Sequence, residues 1–122
     1  MEALRRIRPR GLRHLALKTR KLPATERFYT EVLGLKLAFR HRGMIFLQSP
    51  AGDDLLNFVQ TRTRFDPEAG GLDHFGLHYR RLGWKKVGEA LRQANVPIRG
   101  RRGRWSLYIQ DPNGYTVELY AD

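Results

Sequence analysis

Displaced by 60 residues, this sequence lies on itself. Leu12-Arg13-His14-Leu15-Ala16-Leu17 matches Leu72-Asp73-His74-Phe75-Gly76-Leu77, and Leu12, His14, Leu17, Arg20 and Leu22 meet Leu72, His74, Leu77, Arg80 and Leu82 without a gap. The repeat constrains the fold because each copy is one small supersecondary unit. Such a unit cannot bury a sheet face alone, so the two must pack together. The elements after each match agree. Pro23 to Leu33 reads as a helix: proline suits the first turn, Phe28, Tyr29, Val32 and Leu33 form one apolar face, and Gly34 stops it. Trp84, Val87, Leu91 and Ala94 form a matching stripe ended by Asn95 and Pro97.

Three strand-like segments follow each helix. They are Leu35–His41, Met44–Gln48 and Asp54–Gln60 in the first half, and about Ile98–Arg99, Arg104–Gln110 and Tyr115–Tyr120 in the second. Asp111-Pro112-Asn113-Gly114 between the last two is a strong turn signal. The predicted architecture is a single α+β domain over residues 11–122. Its two βαβββ modules, 11–60 and 72–121, are joined by the Pro- and Gly-bearing linker 61–71 and preceded by a basic extension, 1–10.

Charge narrows the partners. There are 23 basic residues against 12 acidic, a net +11, and no cysteine, which removes disulfides, thiolate metal sites and thiol nucleophiles. Arginines cluster at Arg5, Arg6, Arg8 and Arg10 and again at Arg99, Arg101, Arg102 and Arg104. Neither cluster is interleaved with the aromatic platforms of single-strand binders, and no nucleic-acid-binding motif accompanies them. A solvated or small-anion-binding surface is therefore expected rather than a nucleic-acid interface. The N-terminus lacks the apolar stretch of a signal peptide and no run is long enough to span a membrane, so the expected setting is the cytoplasm.

Strand residues alternate between faces. His14 shares a face with Leu12 and Ala16, and His74 shares one with Leu72, Gly76 and His78, so two modules paired about a pseudo-twofold axis bring both imidazoles to matching points of one concave surface. Glu118 is an acidic residue in an otherwise apolar last strand. Two imidazoles and a carboxylate are the ligand set of an open divalent-metal site, for which Fe, Mn, Zn, Ni or Co all serve. His78 lies roughly 13 Å beyond His74 at strand rise, too far to share its ion, and His41 beside a turn is expected in solvent.

The strand with His14, the Glu26-Arg27-Phe28-Tyr29-Thr30-Glu31-Val32-Leu33-Gly34-Leu35 stretch, the strand with His74 and Asp111-Pro112-Asn113-Gly114-Tyr115-Thr116-Val117-Glu118 together resemble the vicinal-oxygen-chelate superfamily. That superfamily includes glyoxalase I, the fosfomycin- and bleomycin-resistance proteins and the extradiol dioxygenases. The resemblance implies a cupped sheet of paired modules, a metal in the cup and a homodimer, with metal ligands in many members drawn from both chains.

Departures from each subfamily matter as much. Where glyoxalase I has a second glutamate, Leu55-Leu56-Asn57-Phe58 aligns, giving Asn57, or Leu56 with a one-residue slip; neither is a carboxylate base. Fosfomycin-modifying transferases carry a threonine where this chain has Ala16. Tyr108 matches a tyrosine that contacts the ring hydroxylates in extradiol dioxygenases, or else it is a core aromatic with a satisfied hydroxyl. The histidine that precedes it in those enzymes is replaced by Arg99 to Arg102. The acidic groove of bleomycin binders is a poor match to a net charge of +11.

The expected function is Lewis-acid chemistry on a small, anionic substrate chelated through adjacent oxygens, of the lyase, isomerase or dioxygenase type. His14, His74 and Glu118 are the expected metal ligands and Tyr108 the catalytic side chain. Asn57 and one or more of Arg99, Arg101, Arg102 and Arg104 are expected to bind substrate. The alternatives are a small-molecule-sequestering protein on the same fold and, less favoured, a polyanion binder.

Overall fold

A computed structural model describes residues 5–122 of the protein. Met1 to Leu4 of the expected basic extension lie outside the described residues, and Arg5 to Arg10 run exposed without regular structure. The first unit comprises β1 (His14–Thr19), α1 (Leu22–Arg27), a wide helical turn over Phe28–Val32, and β2 (Lys36–His41), β3 (Met44–Gln48) and β4 (Leu55–Gln60). The second comprises β5 (Phe75–Tyr79), α2 (Trp84–Gln93), β6 (Gly100–Arg101), β7 (Ser106–Gln110) and β8 (Thr116–Ala121). Each forms a four-stranded mixed sheet of the same design, β1-β4-β3-β2 and β5-β8-β7-β6, in which the first strand pairs in parallel with the last. The fold is α+β, two βαβββ units. Among the described residues no helix is long and apolar enough to cross a membrane.

Two expected elements differ in detail. The first helix does not stay α-helical to Leu33: it widens after Arg27 into a π turn, with Leu33 N–H bonding the Phe28 carbonyl at 3.2 Å. The Thr30 hydroxyl donates to the Glu26 carbonyl at 2.7 Å, a back-bond that loosens a helix, and the widened turn buries both Tyr29 and Leu33. The strand expected at Ile98–Arg99 is instead Gly100–Arg101. Pro97 has no N–H to donate, and the Val96 N–H is already used on the Leu91 carbonyl, closing the end of α2.

The apolar faces of both sheets and both helices share one core. Ile45, Leu47, Leu56 and Phe58 of the first sheet join Leu107, Ile109, Val117 and Leu119 of the second, with Tyr29, Leu33 and Leu91 from the helices. Burial of each large side chain contributes about 1.5–3 kcal/mol. Phe58 links the units, with Tyr29 and Tyr115 on either side at centroid distances of 5.1 and 6.5 Å.

A polar knot fixes how the units meet. The Tyr29 hydroxyl donates to Asp111 Oδ2 at 2.8 Å, Thr19 donates to Asn113 Oδ1 at 2.6 Å, Asn113 Nδ2 donates to Thr25, and the Tyr115 hydroxyl donates to the Lys18 carbonyl at 2.8 Å. Asp111 also accepts the backbone N–H groups of Asn113 and Tyr115 at 2.9 Å each. The Asp111–Gly114 turn is closed by a 3.0 Å bond from Gly114 N–H to the Asp111 carbonyl, with Gly114 at φ +93. This turn both reverses the chain between β7 and β8 and clamps it to β1 and α1, setting where β8 lies relative to the first unit.

Candidate functional site

Cross-strand register defines one row of side chains in each unit, because residues opposite one another share a face. In the second sheet the row is Gly76, Glu118, Tyr108 and Gly100; in the first it is Ala16, Asn57, Phe46 and Phe39. Asn57, not Leu56, is thus the structural counterpart of Glu118, and Leu56 faces the buried core. His14 and His74 each stand two residues before the small residue, Ala16 or Gly76, that begins its row.

His74 and Glu118 come together. His74 Nε2 lies 3.2 Å from Glu118 Oε1, and His74 Nδ1 lies 2.6 Å from Asp73 Oδ2. The Asp73 carboxylate, and after it Glu118, hold the His74 imidazolium above its ordinary pKa against the opposing effect of burial. The second Glu118 oxygen accepts the Ser106 hydroxyl at 2.6 Å. Tyr108 presents its ring edge-to-face to His74 at 5.4 Å. Arg102 bonds the Ser106 carbonyl through its backbone N–H at 3.1 Å, two residues beyond Gly100 and so on the Tyr108 face, and the Tyr108 hydroxyl and then Glu118 raise its guanidinium pKa.

His14 is exposed. It and His74 both line a cleft of about 430 Å³ between β1 and the Leu72–Leu77 segment, together with Leu12, Leu15, Leu55 and Gly76. Within one chain, and among the described residues, no three His, Asp or Glu side chains gather about a common metal position. Asn57 is buried and its Oδ1 has no hydrogen-bond partner, an orphan acceptor on the same row as Ala16.

The arginines divide. Arg101 pairs with Leu107 in the ladder and so projects from the sheet face opposite Tyr108. Arg104 stacks on Trp105 at 5.0 Å. Arg99 is exposed and its backbone N–H bonds the Tyr108 carbonyl. His78 pairs with Asp122 and stacks on Tyr120 at 5.1 Å, and His41 is exposed at the end of β2. Ser106 and Asp73 escaped the sequence reading. The alternation of Ser106, Tyr108 and Gln110 on β7 carries the signal for the first. Asp73 was hidden by treating Leu72–His74 as strand, whereas β5 starts only at Phe75.

Residues 11–119 match the sequence model of the glyoxalase/bleomycin resistance protein/dioxygenase superfamily. The chain belongs to that superfamily. It is 29% identical to biphenyl-2,3-diol 1,2-dioxygenase 3 of Rhodococcus globerulus over 95% of its own length, and spans 65%, just under two thirds, of that relative. It is 26% identical to the glutathione transferase FosA of Serratia marcescens, covering 91% of this chain and 80% of FosA. Its fold is that of a glyoxalase/dioxygenase from Nostoc punctiforme, with a TM-score of 0.82, 16% identity and 99% of each chain covered. As a superfamily member, the chain shares its framework with both enzymes and binding proteins.

Proposed function

We propose that this superfamily member is a divalent-metal-dependent enzyme acting on a small anionic molecule with two adjacent oxygens. In this reading His74 and Glu118 of one copy and His14 of a second copy hold the ion. The observation that carries it is the His74–Glu118 pair. Their donor atoms are 3.2 Å apart, close to the roughly 3 Å that separates two neighbouring ligands of one transition ion.

The donor set fits the group. Asp73 occupies Nδ1 and so leaves Nε2 as the ligating nitrogen, and Ser106 orients the carboxylate. A bound divalent ion would supply Lewis-acid stabilisation of charge developing on the substrate oxygens. The chain's own residues do the rest. Arg102, whose backbone N–H bonds the Ser106 carbonyl, brings a fixed positive charge to the Tyr108 side of the sheet, suited to holding a substrate carboxylate or phosphate. Asn57, with its unpartnered carbonyl, accepts a hydrogen bond from substrate or water.

His14→Ala, His74→Ala and Glu118→Ala, each purified without a metal-affinity tag, should lose the stoichiometric metal that the unaltered protein retains on elemental analysis. Unchanged metal content in all three would reject the ligand set.

The cleft favours a second reading, sequestration without turnover, because leucines form much of its wall. That reading predicts thermal protection by an anionic small molecule that persists after chelation. Protection abolished by chelator leaves the enzyme reading alone.

A further inference from the structure

Between His74 and Gln110 the sequence holds nine basic residues and one acidic one, Glu89. The structure gathers the cations of two separate segments around one side chain. Arg81, from the turn between β5 and α2, places its guanidinium 4.7 Å from the centroid of the Trp105 ring, and Arg104 places its own at 5.0 Å. Trp105 in turn packs against Trp84 at the start of α2, with centroids 6.2 Å apart. Arg80 leads into the same turn and Lys85 and Lys86 lie in the first turn of α2, the segment being closed by bonds from Gly83 to Arg80, Trp84 to Arg81 and Lys86 to Gly83. All five of these cations are exposed, and among the described residues none forms an ion pair.

So many unpaired like charges repel one another, and here they are concentrated on one surface and stiffened by aromatic contact. Cation–π contact holds each of the two guanidiniums in place while leaving donor N–H groups to outside acceptors. Arg81 and Arg104 are both exposed and Trp105 is half-buried, so a single small anion would meet open solvent there. An extended polyanion can meet several of these exposed cations at once.

We propose that the Arg80–Lys86 turn and the Arg104–Trp105 segment form a binding surface for the phosphate backbone of a nucleic acid, separate from the His74–Glu118 group. Because the indole carries cations, the surface grips phosphates and does not stack bases, and binding is insensitive to sequence and sensitive to salt. A membrane fits less well. Leu82 is the only large apolar side chain fully displayed in the turn, and one leucine adds little to purely electrostatic attachment.

The test is fluorescence anisotropy with a labelled duplex DNA and a labelled single-stranded RNA over a range of salt, comparing Arg81→Glu/Arg104→Glu with a charge-matched control, Arg62→Glu/Arg64→Glu, in the exposed linker. The proposal expects binding of at least one probe. It expects the first variant to weaken that binding at least tenfold and to reduce the salt slope by about two or more, and the control to change it no more than about threefold. Equal weakening by both variants reduces the effect to net charge and overturns the surface. Failure of the unaltered protein to bind either probe at low salt overturns it too. Binding to anionic phosphatidylserine vesicles with none to nucleic acid transfers the surface to membranes. Circular dichroism and retained metal content show that each variant is folded.

Discussion

The Tyr29 phenol is fully buried, and the Asp111 carboxylate that accepts its hydrogen bond is nearly so, so the phenol is satisfied away from water. Burial, with the Asp111 charge beside it, raises the Tyr29 pKa well above 10, so the phenol is a donor at every workable pH. Tyr29→Phe keeps the ring but takes the 2.8 Å donor from Asp111 Oδ2, leaving it only the longer bond from Asn113 Nδ2 at 3.2 Å, and a loss of about 1–3 kcal/mol is expected on urea unfolding. The pH dependence has a definite sign. Burial raises the Asp111 pKa more than its hydrogen bonds lower it. A carboxyl whose folded pKa is raised adds stability below the unfolded value and loses it as pH rises through the folded value. Asp111 therefore opposes acid unfolding. Asp111→Asn cannot titrate and turns an N–H₂ group toward donors, so it should be less stable than the unaltered protein at about pH 7 and further behind at about pH 4.5. A deficit that narrows in acid would contradict this assignment.

At the scale of the element, the β7–β8 hairpin carries most of the site. Its turn is clamped to the first unit, and its pleat presents Ser106, Tyr108 and Glu118 on one face. Gly114 is the point of strain: at φ +93 a side chain is disfavoured by about 1–2 kcal/mol, although its Cβ would meet Pro67 at the ordinary contact distances of 3.6 and 3.8 Å. Gly114→Ala is expected to lower the melting temperature by several degrees and to weaken metal uptake through Glu118; an unchanged melting temperature would show that the turn tolerates the strain.

Much of this hairpin was legible beforehand. Period-two alternation in Thr116–Ala121 and the Asp-Pro-Asn-Gly turn are local signals, and the His14/His74 repeat places the two matching strands. The widened turn at Phe28–Val32 was not legible, because the helical spacing of Phe28, Tyr29, Val32 and Leu33 is equally compatible with an unbroken α-helix. Nor was the sorting of the arginines. A two-residue β6 has no periodicity to read, so only the ladder shows that Arg101 and Tyr108 project oppositely, and only the Trp105 contact explains Arg104. Asn57 was legible as one of two residues, and register with Ala16 decides between them.

At the scale of the whole molecule, the first sheet's row is left open: Ala16 is exposed, and Phe39, stacked on Phe46 at 4.1 Å, is 50% exposed. Its counterpart in the second unit carries the assembled His74–Glu118–Tyr108 group. A twofold dimer in which the first unit of each copy faces the second unit of the other would cover both rows at once and bring His14 to the pair it lacks. That arrangement makes a prediction no single-chain site can imitate. His14→Ala and Glu118→Ala, each unable to load metal alone, should complement when unfolded and refolded together. Random reassortment makes half the dimers mixed, and each mixed dimer rebuilds one intact site while the other lacks both residues, so about a quarter of the full metal content should return. Native mass spectrometry counts mixed dimers directly. Mixed dimers that form but recover no metal would place all three ligands in one chain. His14→Ala that keeps its metal by itself would dismiss His14 as a ligand.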